Sequence, residues 1–207
     1  AKKKYQNLNI NIYNFFSFIN KILKKKKVFY SMVSLVGLEG LKPTLDLIKF
    51  TKNIAIANKE SLICGWGLIK KNLFLHKTNF IPVDSEHFSI YSLLKNNNND
   101  QIDKIFITAS GGPFLNYKRS QLLKVKLKDS LNHPNWKMGK KITIDSSTMM
   151  NKVFEVIEAK NIFEVNYNQI HILTHPSSYV HAIVKLNNGI TKILLHDTNM
   201  KIPIHNS

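Results

Sequence analysis

The chain has 207 residues, 43% of them hydrophobic, enough for one large domain or two small ones. Its formal net charge is +17, but Arg119 is the only arginine, so the excess is solvated lysine rather than the residue that reads phosphates and base edges, and no specific nucleic-acid partner is expected. Cys64 alone excludes an intrachain disulfide framework and suits a reducing compartment, and no apolar run reaches the roughly 18 residues of a membrane span.

In chain order, the stretch 11–20 (N-I-Y-N-F-F-S-F-I-N) follows Lys2–Lys4 and precedes Lys24–Lys27. It mimics a short signal peptide, but its three asparagines and the missing cleavage site favour an amphipathic surface helix. Val28–Val36 reads as a buried strand ending at Gly37, and Leu38–Phe50 as a helix. Asn53–Ala57 reads as a second strand, Asn58–Asn72 as a second helix and Phe80–Val83 as a third strand. This alternation predicts a parallel α/β sheet, whose ligands bind beyond the carboxyl ends of the strands.

The run N-N-N-N-D at 96–100 reads as a linker or expanded loop. Lys104–Ala109 reads as a strand feeding S-G-G-P, residues 115–132 as helical or irregular, and Lys141–Ile144 as a short strand. Ser146–Lys160 is expected to be a helix capped by its leading serines. Strands are expected at Ile170–Thr174, Val180–Leu186 and Ile190–His196, the last two joined by a two-residue turn at Asn188-Gly189. The second half therefore reads as α+β.

Three segments carry the chemistry. Asp84 and Glu86, in V-D-S-E-H, lie two apart in a segment read as extended, so both side chains leave one face. Glu155 shares a helix face with Asn151 and Lys152. Three carboxylates from two elements make an oxygen cage for a hard cation such as Mg²⁺ or Mn²⁺. The glycines of Ser110-Gly111-Gly112-Pro113 let backbone amides approach an anion, and Ser146, Asn151 and Lys152 can do similar work at a helix start. Each has a plainer reading: a solvated strand end, a tight turn, and a surface lysine paired i,i+3 with Glu155. His133 and Trp136 flank a Pro-Asn pair in a loop that is either an aromatic lid or an ordinary anchored loop. His175, His181 and His196 fit no standard zinc spacing and read as structural.

Taken in order, A-N-K-E-S at 57–61, V-D-S-E-H at 83–87, S-G-G-P-F at 110–114, H-P-N-W-K-M-G-K-K-I-T-I-D-S-S-T-M-M-N-K at 133–152 and H-P-S-S-Y-V-H at 175–181 closely resemble the 1-deoxy-D-xylulose 5-phosphate reductoisomerase family. The resemblance covers roughly residues 32–207. It implies a partial Rossmann-like NADPH-binding domain at 1–100 and an α+β catalytic domain at 101–207. It implies NADPH and Mn²⁺ or Mg²⁺ (Co²⁺ as a third choice) as cofactors, with metal ligands at Asp84, Glu86 and Glu155. Substrate contacts fall on Lys59, Ser85, Glu86, Ser110, His133, Ser146, Asn151, Lys152 and Glu155, and the catalytic set on Asp84, Glu86, Glu155, His133 and Lys152. Asn58, Glu60 and Gly139 match cofactor-contacting positions, and Trp136 and Met138 match a loop that closes over the substrate. The implied reaction belongs to the non-mevalonate isoprenoid pathway. It is a rearrangement of the phosphorylated sugar at the metal, then reduction by NADPH to 2-C-methyl-D-erythritol 4-phosphate. A homodimer is implied, in a bacterial cytoplasm or a plastid-like organelle, with no membrane partner.

The chain departs from the family in four ways. No glycine precedes Gly37, whereas the family opens with a glycine-rich dinucleotide loop, and the family continues past Ser207 into a helical domain. Val153 stands where the family has glycine and is expected to crowd a helix contact, and Thr198-Asn199-Met200 replaces Pro-Asp-Met. The expectation is the middle of the enzyme, a fragment that keeps its metal and substrate site and half its cofactor site. The alternatives are an inactive remnant acting as a structural or dimer partner, and a basic polyanion-binding protein.

Overall fold

The computed structural model describes residues 10–13, 16, 19–23, 27–97, 99–136 and 139–207. These divide into two compact units, one running to Ser61 with Gly65–Phe80, the other comprising Leu62–Cys64 and Ile81–Ser207. Of the helix read at 11–20, residues 14, 15, 17 and 18 lie outside the described residues; residues 11–13 are not helical, and the short helix α1 (Ile19–Ile22) begins at its end.

The first unit holds a three-stranded sheet of order β1 (Val28–Val33), β2 (Thr51–Ile56), β3 (Asn79–Pro82), with β1 and β2 parallel. Helices α2 (Leu41–Ile48) and α3 (Lys59–His76) follow the first two strands. The apolar pattern places Ile48, Ile54, Ile56, Ile69 and Leu73 inside. β1 differs from expectation: it is an edge strand of the described sheet, and only Val33 is buried in it. Threonines satisfy the end of α2, since Thr51 Oγ1 donates to Leu47 O at 2.8 Å and Thr78 Oγ1 to Ile48 O at 2.8 Å. Asn58 caps α3, accepting from Ser61 N at 2.7 Å, while its amide nitrogen donates to Leu35 O and Gly37 O. Gly40 permits this tie, because a Cβ there lies 2.3 Å from Asn58 Nδ2.

The second unit is built on a mixed sheet of order β5 (Ile170–Thr174), β4 (Ile102–Ala109), β6 (Val180–Leu186), β7 (Thr191–Leu195). β4 runs parallel to β5 and antiparallel to β6. Helices α4 (Ser85–Leu93) and α8 (Met150–Phe163) pack on this sheet and on each other. Ile90 and Leu94 join Ala159, Phe163, Ile105, Ile107 and Val184 in one buried cluster. This shared core draws residues 81–100 into the second unit, ahead of the boundary expected at 100.

In the chain, α5 (Arg119–Leu122), α6 (Leu127–Ser130) and α7 (Lys140–Ser147) come between β4 and α8, and α9 (Lys201–Asn206) closes the described chain. The strand read at Lys141–Ile144 is part of α7. Its buried residues, Thr143 and Ser147, are polar, so their i,i+4 spacing was hidden from a hydrophobic reading. Ser146 is therefore not a cap for α8. That helix begins at Met150, after Met149 turns left-handed at φ 61° with no side-chain cap. The β6–β7 connection is also longer than the two residues expected. Gly189 N bonds Leu186 O and Leu186 N bonds Ile190 O, leaving a three-residue loop with Gly189 at φ 86°.

Candidate metal and substrate site

The acidic motif after β3 is not extended. Asp84 stands at the N-cap position of α4, and Glu86 lies in its first turn. Helical winding, not strand alternation, brings the two side chains together, and the packing of α4 on α8 adds Glu155. Oxygens of Asp84, Glu86 and Glu155 all lie within 4.8 Å of one another. An all-carboxylate set of this kind suits a hard divalent cation.

Lys152 is not a surface lysine. Its Nζ is buried and donates to Glu86 Oε1 at 2.9 Å and to the Thr108 carbonyl, and it forms an ion pair with Glu155 Oε2. Three N–H groups thus meet three acceptors. Burial works against the ammonium, but the Glu155 and Glu86 carboxylates outweigh it and raise its pKa well above the ordinary lysine value. Ser85 Oγ donates to the other Glu86 oxygen at 2.5 Å, and Asn151 Nδ2 donates to Glu155 Oε1.

Two residues outside the predicted ligand set join this cluster. His87, fully buried, places Nδ1 3.1 Å from Asp84 Oδ2 and 3.6 Å from Glu158 Oε2, while Nε2 lies 2.9 Å from the Glu155 carbonyl. Both ring nitrogens face acceptors, so the ring is an imidazolium. Burial opposes the charge, but Glu158 and Asp84 prevail and lift its pKa to about 9. Glu158 was legible only as the residue three after Glu155 on the same helix face. Four carboxylates here face two cations, a deficit of positive charge that one divalent ion makes good. The residues present therefore fit the expected metal.

The second part of the site is the loop after β4. Ser110 Oγ lies 3.1 Å from His133 Nε2 and accepts from Gly112 N at 3.1 Å. His133 Nδ1 accepts from the amides of Asn135 and Trp136, so its proton sits on Nε2 and points at Ser110. Burial lowers the pKa of His133, in keeping with this neutral form. Ser110 thus accepts twice and keeps its own hydrogen to donate. Gly112, at φ 66°, lets the loop press on α7, because a Cβ there stands 3.2 Å from Ser146 O. The contact sets the loop that carries Ser110 against the backbone of Ser146.

Lys59, Asn58 and Glu60 lie in the first unit, at the start of α3. Gly139 is the N-cap residue of α7 and accepts from Thr143 N and Oγ1. The Trp136 and His181 rings meet in a T-shaped pair with centroids 5.9 Å apart, and Met138 lies outside the described residues. Val153 is 48% exposed, so it lies on the open side of α8 rather than in a tight helix contact. Thr198 gives its hydroxyl to Asn135 O at 3.3 Å, a bond no proline can make.

Fold and site together define an α/β protein in which three carboxylates suited to a hard cation gather around a buried lysine. Two family models match, described as 1-deoxy-D-xylulose 5-phosphate reductoisomerase over residues 1–66 and as the C-terminal domain of that enzyme over 80–163. The chain belongs to the 1-deoxy-D-xylulose 5-phosphate reductoisomerase family. The protein of that name from Pelagibacter ubique is 62% identical over 206 residues, 99% of this chain and 53% of that protein. The one from Clostridium kluyveri is 45% identical, covering 90% of this chain and 48% of its own length. Similarity therefore extends ahead of residue 32, where the motifs first carried it.

A crystal structure of DOX-P reductoisomerase in complex with NADPH, fosmidomycin and magnesium superposes with a TM-score of 0.85 at 35% identity, covering 99% of this chain and 53% of that one. The Zymomonas mobilis enzyme in complex with NADPH gives 0.77 at 38% identity, covering 84% and 45%. The chain spans about half the length of the curated relatives it matches.

Proposed function

We propose that this chain holds the cation and the phosphorylated sugar of a 1-deoxy-D-xylulose 5-phosphate reductoisomerase. The observation that carries the reading is the convergence of Asp84, Glu86 and Glu155 within 4.8 Å. Those three residues would hold Mg²⁺ or Mn²⁺. The bound cation supplies Lewis acidity toward the carbonyl and hydroxyl oxygens of the sugar. Lys152 fixes the two glutamates and presents positive charge beside them. Ser110, with its hydrogen free to donate, Ser146 and Asn151 line the side suited to a phosphate, and the neutral His133 orients Ser110.

We place NADPH contacts at Asn58, Glu60 and Gly139, with residues 1–100 serving the cofactor except for the acids Asp84 and Glu86, which serve the chemistry together with 101–207. The fit to NADPH is incomplete. The Asn58 side chain is spent on Ser61 N, Leu35 O and Gly37 O, so it shapes the start of α3 rather than offering donors. We further propose a homodimer in a bacterial cytoplasm. The exposed Ile193 and Leu195 on the edge strand β7 support an interface, the compared relatives are bacterial, and no described helix is long and apolar enough to cross a membrane.

The test is fosmidomycin binding at high salt, with and without Mn²⁺. Exposed lysines are screened there, while a partly buried pocket is screened less. Binding that requires the metal and survives salt supports the reading. Binding that ignores the metal and vanishes with salt supports the polyanion alternative, and no binding at all supports the inactive remnant.

A further inference from the structure

We propose that Asn135 is a positioning residue: its side chain clamps the His133–Trp136 loop to the Pro176–Ser178 turn and so sets His133 and Ser110 for an anionic ligand. The last clause rests on the function proposed above. From Pro113 to Trp136 no residue is buried. Apolar burial does not hold this stretch, so its position depends on polar ties.

The bonds from the Asn135 and Trp136 amides to His133 Nδ1, at 3.1 and 2.9 Å, are made within the loop and hold only while it keeps its shape. Asn135 makes the outward ties. Its carboxamide donates one hydrogen to Pro176 O and the other to Ser178 Oγ at 2.9 Å, and its backbone carbonyl accepts from Thr198 Oγ1 at 3.3 Å. Ser178 is a demanding partner. It is buried and left-handed at φ 59°, a conformation that persists in a non-glycine residue only where its surroundings over-determine it. Its amide bonds His175 O at 3.0 Å, and Asn135 secures its side chain. Trp136, next in sequence, meets the His181 ring in the T-shaped pair. At the far end of the same unit of structure, His133 Nε2 directs its proton to Ser110 Oγ at 3.1 Å. The clamp therefore fixes where His133 stands, and the loop amides fix which nitrogen carries the proton.

The experiment compares the full chain with Asn135→Asp, which keeps the shape and loses both donors, and Asn135→Ala, which adds no charge. Thr198→Val, which removes one tie only, guards against a misfolded variant. Amide hydrogen exchange, Mn²⁺ affinity and fosmidomycin affinity are measured on each. Exchange at Trp136 should quicken about tenfold in both Asn135 variants and less in Thr198→Val, with β6 amides and Mn²⁺ affinity unchanged and fosmidomycin bound about fivefold more weakly. Unchanged protection at Trp136 overturns the clamp, and so does a loosened loop that binds fosmidomycin as well as wild type. If the wild-type chain itself fails to bind fosmidomycin with metal present, the proposed function fails, and Trp136 exchange still decides the clamp.

Discussion

His87 Nε2 donates to the backbone carbonyl of Glu155 at 2.9 Å. One side chain from the first turn of α4 thereby fastens the helix that carries Asp84 and Glu86 to the helix that carries Glu155. Its other nitrogen reaches Asp84 and Glu158, so the ligand-bearing elements are joined by charge as well as by packing. Replacing His87 by Leu removes a positive charge beside buried Glu158 and the side-chain donor to the Glu155 carbonyl. Loss of one partner from a buried ion pair costs about 3–5 kcal/mol. Urea denaturation should show a drop of that size.

Lys152 supplies the positive charge between Glu86 and Glu155. Lys152→Met removes it and should destabilise the metal-free chain by several kcal/mol, again of the order seen for broken buried pairs. A divalent cation neutralises the same carboxylates. Saturating Mn²⁺ should therefore restore more of the lost thermal stability in Lys152→Met than it adds to wild type. Equal Mn²⁺ stabilisation of the two proteins rules this out.

Gly112 and Gly139 make a matched pair. A Cβ at Gly112 meets Ser146 O at 3.2 Å on a backbone at φ 66°, whereas at Gly139 it meets nothing within 4 Å at φ −63°. Gly112→Ala should cost about 1–3 kcal/mol, and Gly139→Ala should stay within about 0.5 kcal/mol. Thermal unfolding of both variants checks the contrast.

Burial lowers the pKa of His133, and burial, with His196 and Lys152 assisting against Glu86, lowers that of His181. Between those depressed values and the ordinary value of about 6.5, the unfolded chain binds more protons than the native one. Their contribution to stability is complete above that window and falls as the pH drops through it. Protonation of His133 at Nδ1 also expels the two loop amides. The urea midpoint should fall from pH 7 to pH 5 more steeply in wild type than in His133→Gln.

The sequence made the strands and the acids legible, and hid the helical geometry of the site. Ile170–Thr174 and Val180–Leu186 were read with the bounds they have, because β-branched runs between turn residues mark strands well. Asp84 and Glu86 were read as neighbours for the wrong reason, since D-S-E after an apolar strand gives no local sign that a helix begins there. α7 was missed because its buried face is Thr143 and Ser147. His87 and Glu158 owe their roles to contacts between residues 71 positions apart, which no local pattern reveals. The clamp at Asn135 likewise depends on partners at 176, 178 and 198.

The most direct measurement is a calorimetric titration of Mn²⁺ into the wild-type chain, Glu155→Gln and, as a surface control, Glu39→Gln. Wild type and Glu39→Gln should bind one ion with the same affinity, and Glu155→Gln should bind it at least about tenfold more weakly, the loss of one charged ligand being worth about 1.4 kcal/mol or more. Equal affinity in all three proteins would contradict a cation site built on Asp84, Glu86 and Glu155.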